Sequence, residues 1–263
     1  MAVKQGPTHL VIPDVHVKYN QDLRRLDWLG QIIVEEQPDT IICLGDFADM
    51  ESLSSYDKGT RRFEGRRVRK DLEAAREGMR RLLKPLRDHN KKKARFHERQ
   101  YKPRMVMLLG NHEYRIERAT NLEPQLEGVL SLADLKYEAE GWEVYPFLNE
   151  VEIDGVTYSH YFISGVMGRP IGGENPAKTL LHKHHKSCTA GHTHIADWAQ
   201  RRRGDEHIMG LLAGCYFEHE EEYVPPSVNA MWWRGIVIKR NVKDGCYDPQ
   251  FMSLNTIKKR FLK

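Results

Sequence analysis

Five short polar clusters carry the residues of this chain that could do chemistry: Asp14-Val15-His16, Gly45-Asp46-Phe47-Ala48-Asp49, Gly110-Asn111-His112-Glu113, Ser159-His160 and Gly191-His192-Thr193-His194. They offer carboxylates, imidazoles and one carboxamide, with no thiolate among them. Such hard-to-borderline donors suit a pair of divalent cations. Two adjacent ions need an anionic bridge, and an Asp carboxylate can turn one oxygen to each. Asp46, in a central cluster, is the candidate. Asp14 and His16 lie two residues apart, as do His192 and His194, so in an extended segment each pair projects to one side. Asn111 would add a neutral oxygen, which binds a cation without repelling a phosphate. A single DxH or HxH pair is more often a turn or a hydrogen-bonded core pair. Five clusters in series make the metal reading.

Each cluster follows an apolar run: Leu10-Val11-Ile12, residues 40–44, residues 105–109, Val156-Thr157-Tyr158 and residues 187–190. Short apolar runs ending in Gly or Asp read as buried strands reaching the rim of a sheet, where α/β folds place their active sites. The opening third predicts a strand over 8–12, a helix over 21–36 stopped by Pro38, and a strand over 40–44, hence a largely parallel sheet with helical covers. Residues 51–103 form a long basic elaboration of one domain spanning 1–263. Its second half predicts an amphipathic helix from about 67 to 89, kinked or ended by Pro85, then a solvated mobile loop over 91–95. Asp154-Gly155 predicts a hairpin turn, and residues 175–185 the last substantial helix. Strands follow over 188–191, 195–200, 208–215, 231–239 and 247–254, the later ones antiparallel.

With 263 residues, 40% hydrophobic and 30% charged, the composition is that of a globular protein with a full core. No apolar stretch approaches the length of a membrane span, and the N-terminus shows no signal core. The four cysteines have no CxxC spacing, which fits a reducing, cytoplasmic setting. The net charge of +4 conceals an asymmetry: over residues 58–104, 19 Lys and Arg stand against 6 Asp and Glu, a balance of +13, which leaves −9 for the remainder. That segregation admits a nucleic-acid-facing surface or a solvated helix face.

The series Asp14-x-His16, Gly45-Asp46-x-x-Asp49, Gly110-Asn111-His112-Glu113, His160 and Gly191-His192-x-His194 resembles the calcineurin-like metallophosphoesterase superfamily. The resemblance spans residues 14–194 and implies an α/β fold, a two-sheet β-sandwich flanked by helices, with a dinuclear centre at the strand ends. Residue by residue, it implies Asp14, His16, Asp46 and His194 on one ion, and Asp46, Asn111, His160 and His192 on the other. It implies attack on phosphorus by a hydroxide bridging the ions. His112 would protonate the leaving oxygen or stabilise the transition state, with its imidazole oriented by Asp49. Mn²⁺ is the expected metal, and Fe, Zn²⁺, Co²⁺ or Ni²⁺ suit the same ligands. The superfamily's protein Ser/Thr phosphatases continue GDxxD with Arg-Gly, whereas here Met50-Glu51 follows. Phosphodiester hydrolysis, on nucleic acid or nucleotides, is therefore preferred over monoester hydrolysis. Arg66 and Arg67, with Asn111, are the expected substrate-binding residues. The alternatives are a phosphomonoesterase acting on nucleotides or nucleic-acid ends, and a catalytically silent nucleic-acid-binding module.

Four weaker features complete the reading. Residues 165–175 are either a substrate loop or a plain turn. His182, His184 and His185 read as a polar helix end. Trp232 and Trp233 read as one core and one surface residue of a strand, and residues 218–222 as a solvated loop.

Overall fold

A computed structural model describes residues 6–221 and 224–262. The N-terminal reading over residues 1–5, and Glu222 of the expected solvated loop, lie outside the described residues. In the first sheet β1 (His9–Ile12), β2 (Thr40–Cys43), β3 (Arg104–Leu108) and β4 (Glu143–Tyr145) run parallel, and the antiparallel pair β10 (Gly235–Lys243) and β11 (Cys246–Ser253) extends it beyond β1. The second sheet has the order β5 (Val151–Ile153), β6 (Val156–Tyr158), β7 (Ser187–Ala190), β9 (Glu206–Ala213) and β8 (Ala196–Arg203). Its β6, β7 and β9 are mutually parallel, while the later pairs β8–β9 and β10–β11 are antiparallel as expected.

The alternation along each strand builds the layers. Val11, Ile42, Val106 and Val237 point inward and meet Val156, Tyr158 and Leu211 of the second sheet. Their neighbours Leu10, Ile12, Ile41 and Ile238 point outward against α1 (Arg24–Glu36), α2 (Val68–Arg95) and α6 (Leu254–Phe261). Outside the second sheet, α4 (Pro176–His184) packs Leu180 and Leu181 over Cys188 and Leu212. A strand covered on both faces has no wet positions, and for that reason these runs read as continuously apolar. The result is the expected α/β architecture of two stacked sheets flanked by helices.

Three expectations fail locally. α2 runs unbroken through Pro85 and takes in residues 91–95, the expected loop. Gly30 of α1 packs against this turn so closely that a Cβ there would lie 2.3 Å from the Leu82 carbonyl oxygen and 2.8 Å from the Pro85 ring. Tertiary packing therefore offsets the hydrogen bond that proline removes. Lys92, Lys93 and Arg95 fill the last turn, where cations complement the helix dipole. Residues 226–231 form a short helix, α5 (Pro226–Met231), and the strand expected from 231 begins only at Gly235. The basic stretch is also less basic in space than in sequence, because Arg81, Arg76, Arg87 and Arg104 pair with Asp27, Asp134, Glu140 and Glu143 from outside it. Among the described residues no helix is long and apolar enough to cross a membrane.

Between the sheets lies a buried lysine. Lys239 on β10 is fully buried, donates to Thr189 Oγ1, and lies 4.5 Å and 4.1 Å from the ring centres of Tyr158 and Tyr247. Burial pulls its pKa well below the usual 10.5. The unfolded chain then binds more protons than the native one below that value, so stability rises with pH towards it. Lys239→Met is expected to raise the melting temperature at pH 7 and to flatten the rise between pH 7 and 10 in thermal melts. A variant that kept the wild-type slope would refute this.

Candidate metal centre

The clusters sit at the C-terminal ends of β1, β2 and β3 in one sheet and of β6 and β7 in the other, at one rim of the sandwich. Backbone bonds knit their loops together. The amides of Val15 and His16 donate to the Asp46 carbonyl (3.0 and 2.8 Å), that of Gly191 to His160 (2.9 Å), and that of Tyr216 to Asp14 (2.7 Å). Four donor residues, His16, Asp46, His192 and His194, have left-handed backbone with φ of 45°, 48°, 66° and 60°. Such conformations cost L-residues about 1 kcal/mol or more each and gather at functional sites. Two glycines give the carboxylates room. A Cβ on Gly110 would lie 2.0 Å from Asp46 Oδ1, and one on Gly191 2.3 Å from Asp14 Oδ1.

Of the four donor groups among the described residues, two consist of the expected ligands alone. Asp14, His16 and His194 place one donor atom each within 4.8 Å of the others, and so do Asp46, His160 and His192. In the first, His194 Nε2 lies 3.1 Å from Asp14 Oδ2 and 3.3 Å from His16 Nε2. Between the groups, Asp46 Oδ2 is 3.8 Å from His16 Nε2 and 3.5 Å from His160 Nε2, which is the reach a bridging carboxylate needs. Outer partners fix the tautomers: His16 Nδ1 donates to Asp49 Oδ2 (3.0 Å) and His160 Nδ1 to the Leu44 carbonyl (2.8 Å). Both Nε2 lone pairs are thereby turned inward, as ligating imidazoles require. His160 Nε2 then faces Asn111 Oδ1 at 2.9 Å. With its lone pair turned inward, His160 Nε2 can share a cation with Asn111 Oδ1, and with the two donor groups meeting at Asp46 the residues fit a pair of metal ions.

The electrostatics agree. Burial, helped by a neighbouring imidazole, pulls His16 and His192 down to about 3, which keeps them neutral and able to ligate. Burial would raise Asp14, but its hydrogen bond with His194 and the adjacent imidazoles hold it low. Asp46 is pushed well up by burial together with Asp14 and Glu113, the mark of clustered negative charge that a cation would relieve. His112 moves opposite to His16 and His192. Burial lowers it, but Asp46 and Asp49 outweigh that and raise it, which favours its protonated form.

Several residues matter here that sequence reasoning missed or placed differently. His112 Nδ1 donates to the backbone carbonyl of Asp49 (2.8 Å), whose carboxylate serves His16 and stands 3.5 Å from His112. Glu113, fully buried, accepts from the amides of Asp46 (2.9 Å), Ala48 (2.8 Å) and Gly110 (2.9 Å) and from the Tyr137 hydroxyl. Glu221, expected in a solvated loop, binds Lys18 (2.5 Å) and His219 (2.9 Å), and Lys18 reaches Asp49 at 3.4 Å. Trp232 is half-buried, edge-on to His194 at 4.6 Å between ring centres, and Trp233 packs on Phe251. His184 packs on Phe162 at the end of α4 and does not join the centre. Residues 165–168 form an exposed turn that carries Val166 and Met167 outward.

From the centre a cleft of about 1050 Å³ opens under residues 54–70. Arg66 and Arg67 line it, but the Arg66 guanidinium is engaged by Asp57 (2.6 Å) and the Glu51 carbonyl (3.1 Å), while exposed Arg67 donates to the Arg66 carbonyl.

The profile of the calcineurin-like phosphoesterase family matches residues 8–213. Among solved structures, the chain is similar to an archaeal phosphodiesterase (13% identity, covering 93% of this chain and 99% of that one, TM-score 0.41). It is also similar to the protein TT1561 of Thermus thermophilus (7% identity, 94% and 99%, TM-score 0.38). No curated protein sequence matches the chain.

Proposed function

Because the chain belongs to the calcineurin-like phosphoesterase family, and so to the metal-dependent phosphoesterases, we propose that it hydrolyses phosphodiester bonds of nucleic acids or nucleotides with two divalent cations, Mn²⁺ foremost. The observation that carries the proposal is the pair of donor groups meeting at Asp46. Asp14, His16, Asp46 and His194 would hold one ion, and Asp46, Asn111, His160 and His192 the other. Bound there, the cations would polarise a phosphoryl oxygen and lower the pKa of a water. The chain's own residues do the rest. His112, kept protonated by Asp46 and Asp49 and held by the Asp49 carbonyl, gives its proton to the leaving oxygen. Asp49 and Lys18 keep the His16 ring in its ligating orientation.

The diester preference is supported by position 50, where Met50 is fully buried and offers the cleft no phosphate-gripping side chain. The cleft volume also suits a nucleotide-sized group on either side of the phosphorus. For nucleic acid the supporting surface is the far end of α2, where exposed Lys91, Lys92, Arg95 and Arg99 surround exposed Phe96. The four cysteines are free, which supports a reducing, cytoplasmic setting, and we take the layered core as one domain. The test is turnover by the Mn²⁺-loaded protein of bis-p-nitrophenyl phosphate against the monoester, alongside plasmid and single-stranded DNA. The diester is expected to dominate and chelation to abolish turnover. Dominant monoester turnover would overturn the diester preference. Salt-sensitive DNA binding with no hydrolysis would favour the silent module.

A further inference from the structure

We infer that Arg115 grips the phosphoryl group of the substrate; this deepens the phosphoesterase proposal and rests on it. Arg115 is the second residue of α3 (Tyr114–Leu122), directly behind Asn111 and His112, so the helix start turns its side chain back onto the centre. The side chain is 11% exposed and lines the cleft. Nη1 is anchored, donating to the carbonyls of Asp49 (3.0 Å) and Met50 (3.4 Å). Nη2 rests on His112 Nε2 at 3.1 Å. Its charge is only loosely met. Asp49 Oδ1 stands 3.5 Å off, and the Asp49 carboxylate is already engaged by His16 and Lys18.

The result is a buried guanidinium whose free end lies beside the imidazole nitrogen that faces Asp46, 3.8 Å from Asp46 Oδ2. A phosphoryl oxygen entering that space meets both groups, and it gives the Nη2 hydrogens a charged acceptor that the protonated His112 ring, a donor at both nitrogens, does not supply. The planar fork of Arg suits this better than an ammonium group. Arg66 is less suited, since its own fork is closed on Asp57 and Glu51.

The test compares the Mn²⁺-loaded protein with its Arg115→Ala and Arg115→Lys variants. It reads inorganic phosphate affinity by calorimetry, kcat/KM on bis-p-nitrophenyl phosphate, bound metal and melting temperature. Arg115→Ala is expected to weaken phosphate binding about tenfold or more and to lower kcat/KM by roughly 100-fold, as loss of one preorganised donor does. Metal content should not change, and Lys should restore part of both losses. Phosphate affinity unchanged within error would overturn the assignment. Loss of bound metal in both variants would overturn it too, placing Arg115 as a strut for the 49–50 turn. Absence of phosphate binding by the unsubstituted loaded protein would also sink it. Phosphate binding that depends on Arg115 without turnover of any phosphoester defeats the parent proposal alone, whereas turnover indifferent to Arg115→Ala defeats only this one.

Discussion

Asp46→Asn is expected to empty the centre and, in the same molecule, to make the metal-free protein more stable. Asp46 is 1% exposed and, among the described residues, is the carboxylate that lies within 4 Å of an imidazole of each donor group. An amide cannot bridge two cations as an anion does, so bound metal should fall below two ions per chain and phosphoester turnover to background. In the absence of metal, Asp46 is buried beside Asp14 and Glu113, and that repulsion is costly. A neutral isostere relieves it while still accepting the His112 amide bond. Stability of the metal-free protein is expected to rise by about 1–3 kcal/mol, the range seen when poorly compensated buried charge is removed. Denaturant unfolding after exhaustive chelation, with metal analysis of the reloaded protein, checks both halves. Two ions retained by the variant would remove Asp46 from the centre.

Glu113→Ala is expected to have the largest effect on folding of any single substitution near the site. The carboxylate accepts from three backbone amides in two different loops and from the Tyr137 hydroxyl, with no exposure to water. Each orphaned buried N–H costs about 1–3 kcal/mol, so the loss should reach about 3 kcal/mol or more. For a chain of this size that is roughly 10 °C in melting temperature. Asp46 and Gly110 lose their common anchor together, so metal affinity should fall as well. Glu113→Gln tests the geometry, because one amide oxygen replaces two acceptors and the NH₂ group meets backbone donors. If either variant melts within 2–3 °C of the parent, roughly 1 kcal/mol on the same scale, the pinning role is refuted.

The strands and the donor residues were legible in the sequence for one physical reason. Strands buried on both faces carry no polar residues, so a sudden Asp, His or Asn marks the rim. What stayed hidden depends on distant partners. The Lys91–Arg95 run looks like a loop by local composition, yet it is held by helix continuity from Val68 and by the close approach of Gly30. The Met-Trp-Trp run looks like a strand, although Pro225-Pro226 was an available helix-start signal. The charge excess of 58–104 could not be discounted without knowing that Asp27, Asp134, Glu140 and Glu143 fold against it. Glu113 and Arg115 show their charge in the sequence but not their burial, and burial gives each its role.

Donors drawn from two sheets have a mechanical consequence. Asp14, His16, Asp46 and Asn111 leave one sheet and His160, His192 and His194 the other, while the layers between them cohere largely through apolar side chains, with only scattered directional bonds such as Lys239 to Thr189 and His9 to Tyr158. Ions seated at that rim would rivet the two halves against sliding, far more stiffly than oily contact alone. Amide hydrogens of β6 and β7 should then exchange in step with those of β1 to β3 once the rivet is in place, and independently after it is drawn.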